Sequence, residues 1–275
     1  MKAWVILAAL WAQPVLAQTT PPQALGTDQE AGSAPAPEPV HDRAADRYYP
    51  AEQMAAAEHW MMQGEAPSRF QAYRLDLAEA RIGKGADGYH LEGEAWTGNL
   101  HRLVLRVRAE GDWGQRLEQG EIQAAYAYAL GPWWTLQAGV RRDVGAQAQR
   151  NHAMIGLEGL SPYRFDILAL GFVSDKGVVS ARVEGSIDER LTRRIVLQPR
   201  VEAVALAQED RQARLGAGLS SIEAGLRIRY EITRKFAPYA GVNWGWSFGL
   251  TADYARMDGK AAAQRSLVLG VRSWY

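Results

Sequence analysis

The chain stops on RSLVLGVRSWY, residues 265–275. Taken in twos, Leu267, Leu269, Val271, Ser273 and Tyr275 share one face, and Ser266, Val268, Gly270, Arg272 and Trp274 share the other. That alternation belongs to a β-strand, whose successive side chains point to opposite sides. A terminal strand that ends on an aromatic residue fits the closing strand of a transmembrane β-barrel. It also fits the last strand of a soluble β-domain, so the rest of the chain has to decide between them.

Working back from the terminus, the same period repeats. The alternation predicts twelve strands near 72–82, 89–96, 101–110, 117–130, 134–143, 151–160, 163–173, 178–187, 194–204, 220–230, 237–247 and 264–275. Runs of this length suit tilted membrane strands. The connections alternate in kind. Those at 97–99, 131–133, 161–163, 188–194 and 233–236 are mostly short. Those at 83–88, 111–116, 145–150, 205–219 and about 248–263 are mostly longer. Short turns at one end and longer loops at the other are expected of an outer-membrane barrel. An even strand count puts both chain ends at the short-turn, periplasmic end.

The two faces of these strands differ chemically. One carries Leu91, Leu103, Leu105, Val107, Ile122, Val140, Ile155, Leu157, Ile228 and Leu269 among others; the opposite one carries Glu92, Glu94, Arg106, Arg108, Glu121, Arg141, His152, Glu158, Asp166, Arg182, Glu184, Arg200, Glu202, Glu223, Arg227 and Arg229. So many charges cannot fill a small soluble core unless paired or hydrated, but a polar lumen accommodates them. Aromatic residues near strand ends (Trp96, Trp133, Trp134, Tyr163, Tyr230, Tyr239, Trp246, Tyr275) fit the girdles of a membrane interface. The expected fold is therefore all-β, an antiparallel transmembrane barrel of about twelve strands.

Before the barrel, residues 1–17 read as a secretory signal, with Lys2 as the basic region, an apolar run over 3–12 and small residues ending at Ala17. Residues 18–47 are rich in Pro, Ala, Gln and Glu and are expected to be a disordered linker. Residues 48–70 contain one short helix, over 50–64, that would plug or line the periplasmic mouth; the barrel follows over 71–275. Pro50 suits a first helical turn, Glu52 the positive end of the helix dipole, and Gly64 a stop.

Composition removes several function classes. Basic and acidic residues both number 31, so no basic surface for nucleic acid is expected. Cys is absent, which excludes disulfides, thiolate metal sites and a Cys nucleophile. The sequence contains no G-x-S-x-G, H-E-x-x-H or P-loop pattern, and the chain is expected not to be an enzyme. A lipid-acting barrel would need a Ser or Thr within reach of His90, His101 or His152.

Soft and borderline metal-ligand types are the more informative feature. Met54, Glu58, His59, Met61 and Met62 fall within nine residues of the helix. Thioethers suit Cu(I), and imidazole suits copper or zinc. The same residues also describe a Met-bearing amphipathic helix anchored by Trp60. On one strand His152 and Met154 share a face with Glu158, and from a lumen wall they are candidate metal ligands. His90, Glu92 and Glu94 form a similar inward row, readable as a charge ladder with the lumen arginines Arg106, Arg141, Arg182, Arg200 and Arg227 and with Glu202.

Longer runs carry a resemblance. Residues 45–49 (ADRYY), 54–57 (MAAA), 92–96 (EGEAW), 136–141 (LQAGVR), 156–163 (GLEGLSPY), 197–202 (LQPRVE), 216–220 (GAGLS), 227–232 (RIRYEI) and 236–242 (FAPYAGV) resemble, in order, the copper resistance protein B family of Gram-negative outer membranes. The resemblance implies an outer-membrane barrel that binds copper, as Cu(I) or Cu(II), or passes it across the membrane. It implies a periplasmic N-terminus, contact with outer-membrane lipid, periplasmic copper-handling partners, and an insertion machinery that reads the terminal Tyr275. Many relatives carry a Met- and His-rich tract before the barrel, whereas this chain has only His41 ahead of the helix. Copper handling would then rest on the helix cluster and on His152, Met154 and Glu158. The competing reading is a structural or small-solute diffusion barrel with no metal role.

Overall fold

The computed structural model describes residues 44–64, 70–83, 87–114, 117–146 and 149–275. The expected leader at 1–17, the linker up to residue 43, and the side chain of Met62 lie outside the described residues. The chain divides into two units, with the division after Met61.

In the first unit a 3-10 turn, Ala44–Arg47, precedes α1, Ala51–Gly64. Pro50 opens the helix as expected, its carbonyl accepting from the Gln53 and Met54 amides at 2.9 and 3.1 Å. Proline suits this place because its missing N–H would have no partner in a first turn. Glu52 lies in that turn, where a carboxylate favours the helix dipole.

The second unit is the barrel. Its strands are β1 Phe70–Ile82, β2 Gly88–Gly98, β3 His101–Asp112, β4 Gln119–Ala129, β5 Trp134–Val144, β6 Asn151–Ser161, β7 Phe165–Ser174, β8 Val179–Ser186, β9 Glu189–Arg190, β10 Ile195–Leu206, β11 Gly218–Tyr230, β12 Phe236–Ser247 and β13 Ala263–Trp274. Each long strand pairs antiparallel with its neighbours, and β1 pairs β13 to close the wall. The two-residue β9 pairs only with β10, so twelve strands form the barrel. Every expected strand end lies within two residues of the observed one.

The sidedness is that of a membrane barrel. Leu103, Val140, Ile155 and Leu267 are 61, 61, 60 and 61 % exposed, whereas Gln137, Arg227 and Glu121 are 0, 3 and 4 % exposed. Apolar residues face out because hydrocarbon replaces water there; charges face in because the lumen lets them find partners. In the terminal strand Leu267 and Leu269 point outward and Ser266 and Val268 inward.

Three departures from simple alternation matter. A bulge in β1 shifts its register between Leu75 and Ala78. Tyr73 is exposed before it, while Leu77, Glu79 and Arg81 are buried after it. Tyr239, expected in an aromatic girdle, is instead 7 % exposed, because β12 buries Ala237, Tyr239 and Asn243 on its lumen side. The connection expected as a plain loop at 248–263 contains a second helix, α2 Gly249–Met257. Its apolar pattern is weak, and tertiary bonds hold it. The Thr251 hydroxyl accepts from the Gly216 amide at 2.8 Å and lies 2.9 Å from the Ser220 hydroxyl.

The loops at the α2 end are clamped together by ion pairs. Arg150 pairs with Asp210, and Lys260 with Glu118. Burial disfavours the charged Lys260, but Glu118 outweighs that and holds the ammonium above its usual range. The opposite rim has tight turns. Gly98 takes φ +142° between β2 and β3, where a side chain would strike the His101 carbonyl.

Candidate functional site: the lumen wall and its soft donors

Inward-facing charges pair across the lumen. Glu92 on β2 meets Arg108 on β3 at 2.8 Å and Arg200 on β10 at 2.8 Å. Arg108 also reaches Glu202 on β10 at 2.8 Å, and Arg200 reaches Glu184 on β8 at 2.8 Å. On β8, Arg182 donates both terminal nitrogens to Glu121 on β4 at 2.8 and 2.9 Å. Strands β2 and β10 are not neighbours, nor are β4 and β8, so these contacts bridge the interior rather than run along the wall.

A second set lies around Glu79. Arg227 on β11 donates to it twice at 3.0 Å, Tyr239 donates at 3.1 Å, and Arg81 at 3.1 Å. Arg81 continues to Glu223 at 2.8 Å and Glu110 at 3.1 Å. Near the other rim, Arg106 bridges Glu94, Gln137 and Glu158 at 2.6, 2.6 and 2.7 Å. Every arginine in these sets has a carboxylate, which is the condition for holding buried guanidiniums.

The networks divide the interior. At the end where β1 starts and β13 stops a cavity of about 370 Å³ is lined by Asp76, Glu94, Asp166, Asp188 and Arg272 and floored by Glu92, Arg108 and Arg182. At the opposite end a cavity of about 150 Å³ is lined by Tyr89, Asp112 and Lys260 and ends on Arg81, Glu110 and Glu223. The two share no lining residue, and neither is lined by Glu79, His90 or Arg227. A salt-bridged septum therefore crosses the lumen.

The residues expected to line the lumen (His90, Glu92, Glu94, Arg106, Arg141, Arg182, Arg200, Glu202, Arg227) belong to these networks. His90 is 4 % exposed; its Nε2 lies 2.8 Å from Glu92, while Nδ1, 3.6 Å from Glu110, has no hydrogen-bond partner. Arg141 holds Asp143 at 2.7 Å and Glu121 at 3.1 Å.

The candidate ligands on β6 diverge. His152 Nε2 lies 2.8 Å from Asp143, and its buried Nδ1 has no hydrogen-bond partner. Met154 is 4 % exposed and packs with Ala125, Leu170 and Phe172 in an apolar island on the wall. The guanidiniums of Arg141 and Arg182 lie 4.8 and 5.8 Å from the Phe172 ring centroid, which a π face favours. Glu158 is engaged by Arg106 and Gln137. Six residues along a strand is about 20 Å, so Glu158 cannot share one ion with His152.

On α1 the donors are in a different state. Met54 and Glu58 are half-buried, one turn apart, while His59 and Met61 are exposed. At about 100° per residue, His59 sits roughly 140° around the helix from Met54. Met54, Glu58 and Met61 share a face; His59 flanks it. Among the described residues no three of His, Cys, Asp and Glu converge as a metal cage. None of His90, His101 and His152 hydrogen-bonds a Ser or Thr among the described residues.

Sequence reasoning missed Glu79, Arg81, Gln137 and Phe172. The bulge hides the first two, since the face that a residue takes in β1 flips across it. Gln137 and Phe172 sit on lumen rows whose charged neighbours were the signal that marked the row.

Known proteins share much of this sequence. The family described as "Copper resistance protein B precursor (CopB)" matches residues 69–275. A "Copper resistance protein B homolog" of Pseudomonas syringae pv. tomato is 41 % identical over 76 % of this chain and 70 % of its own. "Copper resistance protein B" of Escherichia coli is 37 % identical over 73 % of this chain and 68 % of its own. Among solved structures, a NanC porin is similar with a TM-score of 0.47 at 12 % identity, over 74 % of this chain and 99 % of that one.

Proposed function

Because the chain belongs to the copper resistance protein B family, its role lies in copper resistance, and we propose that it fulfils that role by binding copper through the soft donors of α1. It is an outer-membrane protein of a Gram-negative cell, with lipid against its apolar outer face. The observation that carries the proposal is the exposure of His59 and Met61 beside Met54 on one short helix. An exposed imidazole beside thioethers is a donor set suited to Cu(I). The N-terminus lies in the periplasm in this reading, where copper-handling proteins deliver or collect the ion. Copper is cargo here, and the chain has no catalytic turnover.

The septum bears on the rival reading, a general diffusion barrel. A solute entering either cavity meets paired arginines and carboxylates before it reaches the other. Passage of copper would require those pairs to part, so any transport would be gated rather than free.

Titration of the purified mature protein with Cu(I) and Cu(II) tests the proposal. Saturable binding that weakens in a Met54/His59/Met61/Met62 alanine variant is the expected result. Equal binding by the variant removes the helix from the site. Unchanged copper tolerance in a deletion strain, together with altered uptake of unrelated small solutes, would favour the diffusion barrel.

A further inference from the structure

Most lumen arginines are paired with carboxylates. Four cations that stand together on the rim where β1 starts and β13 stops are not. Arg193, Arg194, Arg234 and Lys235 are all exposed, and among the described residues none pairs with a carboxylate. They stand on adjacent connections, the tip between β9 and β10 and the turn between β11 and β12. The Glu231 amide joins these connections by donating to the Arg194 carbonyl at 2.7 Å. The end of β13 is tied to the same place, Trp274 donating its amide to the Lys235 carbonyl at 3.0 Å and its indole N–H to the Arg234 carbonyl at 2.6 Å.

Two of these cations engage aromatic residues of the lipid boundary rather than the lumen. Arg194 donates to the Tyr230 hydroxyl at 3.3 Å, and Tyr230 continues the exposed outer row of Leu226 and Ile228. The Lys235 ammonium stands 4.0 Å from the Tyr275 ring centroid and 6.0 Å from that of Trp274. Trp274 and Tyr275 in turn line an apolar groove of about 410 Å³ on the outer face, with Tyr73, Leu75, Ala95 and Leu105. The groove has two local causes. The β1 bulge interrupts the wall after Leu75, and Gly93 and Ala95 leave the adjacent part of β2 without bulk.

We propose that this is a binding site for one anionic phospholipid of the inner leaflet, with the phosphate at Lys235 and Arg234 and an acyl chain in the groove. The unpaired charge and the apolar trough adjoin at the height of the aromatic rim, where headgroup meets hydrocarbon. Clustered cations at a membrane surface select anionic headgroups. An acidic protein partner would use the cations but not a groove that lies against hydrocarbon.

The test uses the full mature chain in nanodiscs of equal phosphatidylglycerol and phosphatidylethanolamine, released into a mass spectrometer with its bound lipid. The wild type should retain phosphatidylglycerol roughly fivefold over the mixing ratio, the size expected from about one effective cation. An R234Q/K235Q variant should fall to the mixing ratio. A Gly93→Leu variant should retain less of both lipids; a Cβ there meets only the Arg74 carbonyl, at 3.5 Å, so the added side chain can extend into the groove. Retention at the mixing ratio by the wild type overturns the proposal. So does a preference that survives R234Q/K235Q, or full retention by the Gly93→Leu variant should the double variant not fold.

Discussion

Two groups of soft donors, one on α1 and one on β6, are in opposite states. On α1, His59 and Met61 are exposed, and among the described residues no hydrogen bond or ion pair engages them. On β6, His152 is committed to Asp143 and Met154 is packed into an apolar island under Phe172. The same two residue types serve as available ligands in one region and as wall material in the other. The difference teaches that composition alone does not locate a metal site; the competing partners decide. A copper ion at Met154 would have to displace close apolar packing, whereas one at Met61 displaces only solvent.

The comparison breaks most readily at Met154. Met154→Ala should lower the stability of the folded barrel by about 2–5 kcal/mol, the usual cost of emptying a packed site. It should leave Cu(I) affinity within about twofold, a change of roughly 0.4 kcal/mol. Denaturant unfolding in detergent reads the first quantity and titration the second; a large affinity loss with little destabilisation would make β6 the binding region. The reciprocal variant carries alanine at Met54, His59, Met61 and Met62. Its Cu(I) affinity should drop by about tenfold or more, and its unfolding free energy should stay within about 0.5 kcal/mol, as for exposed substitutions. Coincident losses of both would mean that α1 is structural. The smallest effect is expected from His152→Gln, which keeps a polar side chain beside Asp143. About 1 kcal/mol of stability should go with the altered hydrogen bond, with copper binding unchanged. A shifted titration midpoint there would show that the unpartnered Nδ1 is a ligand after all.

Much of this architecture could be read from alternation and turn chemistry, because a membrane barrel imposes a two-residue period on every strand. The terminal run from Arg265 showed it, and the charged and apolar rows separated cleanly in β3, β6 and β11. Where the period slips, the reading failed. In β1 the bulge after Leu75 moved Glu79 and Arg81 to the lumen, and with them the partner of Arg227. Tyr239 looked like a girdle residue by type and was a lumen residue by register. α2 escaped because bonds to Gly216 and Ser220, distant in sequence, hold it. Which carboxylate meets which arginine was out of reach for the same reason. Those pairs are set by barrel closure, which brings Glu92 and Arg200 together from positions 108 residues apart. The donors on α1 were readable as a cluster, since helical spacing fixes which of them share a face.

That separation has a consequence for assembly. Glu92 cannot reach Arg200, nor Glu79 reach Arg227, until strands from both halves of the sequence stand in one wall. Contacts this remote in sequence form late and slowly, because chain entropy must be lost before they contribute. Until then an open sheet would turn its rows of arginine and glutamate toward hydrocarbon, at about 2–4 kcal/mol for each arginine at mid-depth. Closing the cylinder removes that cost, so the bilayer favours the closed wall over an open one.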